Sequence, residues 1–122
     1  MKKDITPGNE EVKDLLNDII KKYKKIIKDK LIEIVLIGSY ARGDEEEYSD
    51  IDIIALIDDS DKNIKTLDRK LEDFNHELTM KYEILVSPIL ISYSQFREYR
   101  DILPFYMNVE KEGVILYERK IA

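Results

Sequence analysis

The sequence contains no cysteine, no tryptophan and one histidine among its 122 residues. The absence of cysteine excludes disulfide bonds, thiolate metal sites and thiol nucleophiles, and it fits a reducing cytoplasm. His76 has no second histidine at ligand spacing, so a zinc site and a Ser-His-Asp triad are both poorly supported. The longest apolar run, Ile53 to Ile57, is far shorter than the roughly 20 residues of a membrane span. Because no signal-peptide core follows Met1-Lys2-Lys3-Asp4, we expect a cytoplasmic protein.

Positive charge is also in deficit, with 20 Lys and Arg against 26 Asp and Glu, for a net charge of −6. A chain of this charge repels polyanions, so general nucleic-acid binding is not expected. Hydrophobic residues make up 43% and charged residues 38% of the chain, which is typical of a folded protein with a heavily ionised surface. The length fits a single domain over residues 1–122.

Hydrophobic periodicity predicts alternating helices and strands. Apolar residues at three- and four-residue steps predict an amphipathic helix from about 9 to 29, and a second such series predicts a helix over 62–80. Apolar runs predict strands at Leu31–Ile37, Ile51–Ile57, Tyr82–Ile91 and Val114–Tyr117. Shorter helices are expected near 94–100 and 104–111. The pattern predicts an α/β (α+β) fold with a small mixed β-sheet flanked by helices.

Several features have an ordinary structural interpretation beside a functional one. The lysines on the outer face of the first helix could bind phosphate or RNA, but such a run is usually a solvated surface. The Asp58–Asp61 cluster could be a metal loop, but Asp and Ser before a helix are ordinary N-caps. Pro88 interrupts the third predicted strand and indicates an edge position or a bulge. The apolar segment Ile102–Met107 is either a helix packed on the core or a partner surface.

The informative stretch lies between the first two strands. Gly38-Ser39 follows the first strand, and after ten residues Asp50-Ile51-Asp52 opens the second. Because strand side chains alternate between faces, both carboxylates project to the same side, where they repel each other unless a cation compensates them. Hard oxygen ligands favour Mg²⁺ or Mn²⁺, and Mg²⁺ held by one or two carboxylates completes its shell with waters and phosphate oxygens. Gly38, Ser39 and Arg42 supply close backbone approach, a hydroxyl and a planar cation for phosphates.

These residues match a known signature. Gly38-Ser39 followed by Asp50-Ile51-Asp52 resembles the motif of the DNA polymerase β-like nucleotidyltransferase superfamily, and Gly38–Gly43 with Ser49–Asp52 is similar to its minimal nucleotidyltransferase (MNT) branch. The resemblance implies that Asp50 and Asp52 bind two metal ions and that the Gly-Ser turn holds the triphosphate of ATP. It also implies a third carboxylate on a later strand. Glu83 occupies that place by order and context, where the family usually has aspartate, and its role stays open between ligand, base and neither.

The MNT resemblance also implies a biological setting. Such proteins are commonly encoded beside a HEPN-domain toxin and act as antitoxins by transferring AMP from ATP to a tyrosine of the toxin. A chain this short could instead mask a HEPN partner by binding alone, as a non-catalytic antitoxin or nucleotide-binding module. Intact Ser39, Arg42, Asp50 and Asp52 favour the enzyme.

Other enzyme classes fit less well. Haloacid dehalogenase-like phosphatases place their Asp-x-Asp after a hydrophobic strand, whereas here the apolar strand follows the carboxylates. A P-loop would need Gly-x-x-x-x-Gly-Lys-Ser/Thr, which is absent. A two-carboxylate glycosidase explains neither Gly38-Ser39 nor Arg42.

Overall fold

A computed structural model describes residues 1–3 and 7–120 of the chain. Asp4, quoted above in the N-terminal stretch, lies outside the described residues. The elements, in chain order, are α1 (Glu10–Ile27), a 3-10 turn (Lys28–Lys30), β1 (Leu31–Ile37), α2 (Gly38–Arg42), β2 (Ile51–Ile57), α3 (Asp61–Tyr82), β3 (Val86–Ser92), α4 (Tyr93–Tyr99), α5 (Pro104–Glu112) and β4 (Val114–Glu118). None of these helices is long and apolar enough to span a membrane.

The strands form one mixed sheet in the order β3-β2-β1-β4. β1 is antiparallel to both β2 and β4, whereas β2 and β3 run parallel and are joined by α3. A parallel pair requires such a crossover, so the long helix between them follows from the topology. The predicted α/β fold with a small mixed sheet is confirmed.

The sheet separates two apolar layers. α1 and α3 cover one face, where Leu15, Ile19 and Leu71 pack against Ile53 and other inward residues of the central strands. α4 and α5 cover the opposite face, where Phe96 and Tyr106 pack against Ile54 and Leu56. Because successive strand residues alternate faces, Asp52 shares the face of Ile54 and Leu56. The end of β2 that carries Asp52 therefore opens toward the α4–α5 side of the sheet.

Helix capping explains where the two long helices begin. The Asn9 side chain accepts a hydrogen bond from the Val12 backbone N–H at 3.0 Å. Ser60 Oγ accepts one from the Asn63 N–H at 3.2 Å, which confirms that the acidic cluster before α3 is a capping segment. His76 is exposed on α3, as the sequence predicts.

The third strand begins later than predicted. Residues 82–85 do not continue a strand from Tyr82, because α3 extends to Tyr82 and β3 starts only at Val86. Tyr82 faces α1 from the last turn of α3, and its hydroxyl donates to Asp18 Oδ2 at 2.7 Å. The predicted edge position of Pro88 is confirmed, since β3 is the outer strand of the sheet.

A buried hydrogen bond joins α1 to α3. The Tyr23 hydroxyl donates to Asn75 Oδ1 at 2.7 Å, with Tyr23 fully buried. Burial raises the pKa of the Tyr23 phenol, so it stays a neutral donor. We expect Tyr23→Phe to lower the free energy of unfolding by about 1–3 kcal/mol, because it leaves a buried acceptor unpaired. Urea unfolding measures this, and an unchanged midpoint would show that the pair contributes nothing.

Candidate active site

The site begins with strand pairing. In the antiparallel β1–β2 pair, Ile37 lies opposite Asp52, so the residue that follows β1 lies beside the start of β2. That residue is Gly38, with φ of +75°. A Cβ built on Gly38 would lie 2.7 Å from Asp52 Oδ2. Only glycine fits here without displacing the carboxylate, and it also tolerates the left-handed backbone.

Gly38 opens α2, a helix of five residues that carries Ser39 and Arg42. The chain then turns at Gly43, whose φ is +79° and whose N–H donates to the Ser39 carbonyl at 2.9 Å. Ser39, Asp50 and Asp52 are all partly exposed, and Asp50 immediately precedes β2. The structure therefore brings Gly38 and Asp52 into contact. Ser39 follows Gly38 directly in the sequence, and Asp50 is two residues before Asp52.

The electrostatics of the site centre on Asp52. Burial raises the pKa of Asp52, the negative charge of Asp50 raises it further, and the positive charge of Arg42 lowers it. The raised pKa shows that ionised Asp52 is less well stabilised in the folded protein than in water. A cation that binds between the carboxylates would relieve this.

Arg42 is held by two carboxylates. Its Nε donates to Asp44 Oδ2 at 3.2 Å, and its Nη1 donates to Glu112 Oε2 at 3.4 Å. These contacts raise the pKa of the guanidinium, so Arg42 is a permanent cation. Exposed ion pairs of this kind are weak, so a more highly charged phosphate can replace these partners at low energetic cost. Glu112 was not foreseen, because it comes from α5, 70 residues along the chain, and no local motif marks it.

Glu83 is not on a strand. It is exposed and ends α3 in the left-handed conformation, with φ of +56°. Across residues 1–3 and 7–120, no group of three or more His, Cys, Asp or Glu side chains could hold a metal ion. The residue that pairs with Asp52 on β3 is instead Ser87. The prediction that Glu83 lies on a later strand is therefore wrong, because Glu83 ends α3 and β3 begins only at Val86.

The position of Glu83 gives a two-way test. Glu83→Gly removes the carboxylate and suits the left-handed backbone, so we expect stability to rise by about 1 kcal/mol. The rate of nucleotidyl transfer should stay unchanged. Thermal unfolding and a transfer assay on the same preparation measure both quantities. A large loss of transfer in a stabilised variant would return Glu83 to the site.

A mixed sheet with a Gly-Ser turn and two paired carboxylates at one strand end is the arrangement of an enzyme that acts on nucleotide phosphates. The chain belongs to the nucleotidyltransferase domain family, whose model matches residues 20–116. The predicted resemblance to nucleotidyltransferases is thereby confirmed, and the chain is a nucleotidyltransferase.

Relatives in Methanocaldococcus jannaschii extend the likeness over most of the chain. The protein named "Putative protein adenylyltransferase MJ0604" is 38% identical over 112 residues, which cover 89% of this chain and 99% of the relative. MJ1305, of the same name, is 32% identical over 87% of this chain and 71% of its own length. MJ0141 is 43% identical over 60% of this chain and 76% of its own.

Solved structures share the fold. A toxin-antitoxin complex with AMP-PNP contains a chain with a TM-score of 0.55 and 23% identity, covering 86% of this chain and 74% of that one. A complex of a tri-AMPylated Shewanella oneidensis HEPN toxin with its MNT antitoxin contains another, with a TM-score of 0.52 and 22% identity, covering 88% and 72%. At this identity the comparison establishes the fold.

Proposed function

We propose that the chain is a metal-dependent nucleotidyltransferase that transfers AMP from ATP to an acceptor hydroxyl, namely a tyrosine of a HEPN-type toxin, and so acts as an antitoxin. The observation that carries the proposal is the contact between Gly38 and the Asp52 carboxylate. Strand register brings Gly38, which has no Cβ to displace the carboxylate, against the side chain that we assign to a cation. Neither feature is specific by itself, but their contact, next to the turn that carries Ser39 and Arg42, supports a metal-triphosphate site.

The donor set suits magnesium. Asp50 and Asp52 offer hard oxygen ligands, and a divalent cation would stabilise the ionised form of Asp52, whose pKa is raised by burial and then by the charge of Asp50. We propose that these two residues hold Mg²⁺, two ions in the complete complex, with Mn²⁺ as a substitute. With only two protein carboxylates, the remaining ligands are waters and substrate phosphate oxygens, which is a common magnesium arrangement. When bound, the metal neutralises charge that develops on the α-phosphate and the departing pyrophosphate.

The other residues position the nucleotide. Gly38 leaves space for the Asp52 carboxylate to lie against the backbone, and the Ser39 hydroxyl at the start of α2 is the donor that we assign to the phosphate oxygens. Arg42 exchanges Asp44 and Glu112 for the β and γ phosphates. This orientation sets the α-phosphate for in-line attack by the acceptor hydroxyl, with pyrophosphate as the leaving group.

The proposed acceptor rests on the relatives. The curated relatives carry the name of protein adenylyltransferases, and one structural neighbour is an MNT antitoxin in complex with an AMPylated HEPN toxin. A HEPN protein is an acceptor that agrees with both, and the choice of a tyrosine in it follows from the resemblance to the minimal nucleotidyltransferases.

A second candidate is an antitoxin that masks its partner without transfer. The start of α5 and the residues just before it favour this candidate, because Tyr106 and Val109 pack into the core while four apolar neighbours are exposed: Ile102, Leu103, Phe105 and Met107. Such a surface fits a protein partner. An exposed apolar surface is compatible with an enzyme and with a masking antitoxin, so only a measurement of AMP transfer distinguishes the two candidates.

Linkage between metal and nucleotide tests the site without a partner. ATP with Mg²⁺ should raise the free energy of unfolding by about 2.7 kcal/mol when free ligand is about a hundredfold above Kd. EDTA should abolish the nucleotide-dependent part of the melting shift. The double variant Asp50→Asn/Asp52→Asn is the matched control and should show no metal-dependent shift. An equal shift with and without metal would contradict the proposed metal site.

A further inference from the structure

An exposed tyrosine stands at the entrance to the site. The Tyr48 side chain is 89% exposed and lies two residues before Asp50. Its hydroxyl makes no hydrogen bond within the part of the chain that the structure describes. By contrast, Tyr23, Tyr40 and Tyr106 are buried, and Tyr99 is 38% exposed on α4. Tyr48 therefore combines a free phenol with proximity to the carboxylate pair.

A closed turn fixes the position of Tyr48. The Glu46 N–H donates to Ser49 Oγ at 2.8 Å, and the Ser49 N–H donates to the Glu46 carbonyl at 3.1 Å. Tyr48 is the third residue of this turn, and two residues of chain span about 7 Å at most. The turn therefore keeps the Tyr48 backbone close to Asp50, and the side chain is exposed to solvent.

We propose that Tyr48 is itself an acceptor of AMP, modified by the active site of a second copy of this chain. This inference rests on the proposed function. The Tyr48 hydroxyl oxygen forms a bond to the α-phosphorus of ATP, the bond from that phosphorus to the oxygen bridging the α and β phosphates breaks, and pyrophosphate departs. The phenolic proton passes to solvent. ATP supplies the nucleotide and Mg²⁺ the charge neutralisation, as in the proposed reaction.

Geometry favours transfer between copies. In-line attack needs the hydroxyl about 3–3.5 Å from the reacting phosphorus, opposite the leaving group. The Tyr48 ring is 89% exposed and makes no hydrogen bond to its own site among the described residues. It therefore enters the site of a second copy without breaking any contact.

Two complementary variants test the proposal. Tyr48→Phe keeps the catalytic carboxylates, whereas Asp50→Asn/Asp52→Asn keeps Tyr48 but not the metal site. When the two variants are mixed with ATP and Mg²⁺, Tyr48→Phe supplies the active site and the carboxylate variant supplies the acceptor. The carboxylate variant should then gain the mass of one AMP, and peptide mapping should assign this mass to Tyr48. Adding Tyr48→Phe to the carboxylate variant should abolish the gain. The same addition of Tyr99→Phe, a matched exposed tyrosine, should leave it intact.

Nucleotide binding provides a readout that does not depend on turnover. Calorimetry with Mg²⁺ and an ATP analogue that has a methylene between the α and β phosphates should give the same Kd for Tyr48→Phe and the parent. A tenfold weaker Kd would overturn the proposal and make Tyr48 a nucleotide-binding residue.

An assay with a HEPN partner as acceptor distinguishes failure of this inference from failure of the proposed function. If the chain adenylylates the partner but the carboxylate variant never gains mass at Tyr48, the inference fails and the proposed function stands. If neither protein gains mass with ATP and Mg²⁺, both fail. If Tyr48 is modified in the parent chain but not in the carboxylate variant mixed with Tyr48→Phe, transfer occurs within one molecule. That result would overturn the proposed transfer between copies.

Discussion

Asp50→Asn and Asp52→Asn are each expected to lower the rate of AMP transfer by about three orders of magnitude or more. Each change keeps side-chain size and removes a charge that holds the metal, so several kcal/mol of stabilisation of the developing phosphate charge is lost. Single-turnover transfer from ATP, with the variants at equal concentration, measures the effect. A loss of less than tenfold in the double variant would show that the carboxylates are not the metal site.

The same substitutions should leave the fold intact, and Asp52→Asn should stabilise the metal-free protein at neutral pH. Burial and the charge of Asp50 raise the pKa of Asp52. Because the folded-state pKa then exceeds the unfolded one, ionisation disfavours folding above the folded pKa, and this penalty disappears as pH falls below the unfolded value. Melting temperatures of parent and variant in EDTA should therefore differ at pH 7 and converge at low pH. A variant that melts lower at pH 7 would contradict this sign.

Gly38→Ala is the second large expected effect. Both the backbone at φ +75° and the 2.7 Å approach to Asp52 Oδ2 oppose a Cβ. Strain in the left-handed region costs about 1–2 kcal/mol, and the methyl group must also displace the carboxylate that holds the metal. We expect lower stability together with a loss of transfer comparable to that of the aspartate variants.

Gly43→Ala is the matched control for this change. Gly43 has nearly the same backbone conformation, with φ of +79°, but an added Cβ would meet nothing within 4 Å. It should lose a similar amount of stability and keep most of its transfer activity. If both alanine variants lose transfer equally, strain in the loop explains the result and the contact between Gly38 and Asp52 does not.

Much of the fold was predictable because buried helices and strands carry apolar residues at regular spacing in the sequence. β1 and β2 are apolar runs with clear ends, and their bounds agree with the prediction. The start of β3 was not predictable in the same way. Tyr82 and Ile84 pack beside the core from the end of a helix, where they look like strand residues. The residue that ends the helix is Glu83, a position where glycine or asparagine usually gives the signal.

The site likewise contains residues that the sequence groups together and contacts that only the tertiary fold determines. Gly38, Ser39, Asp50 and Asp52 lie within one short stretch of the chain, residues 38–52, so sequence spacing was sufficient to group them. The contact of Gly38 with Asp52 depends on the pairing of Ile37 with Asp52, which only the sheet register determines. Ser87 beside Asp52, and Glu112 beside Arg42, come from distant elements and carry no local mark. Long-range register, rather than residue type, was the missing information.

The most direct measurement is the intact mass of a HEPN partner after incubation with ATP, Mg²⁺ and this chain. The proposed function predicts the added mass of AMP on a partner tyrosine with the parent chain and no added mass with Asp50→Asn/Asp52→Asn, although both chains remain folded. Toxicity should be relieved only by the parent. If the double variant relieves toxicity equally while the partner keeps its unmodified mass, transfer is dispensable and the antitoxin acts by masking.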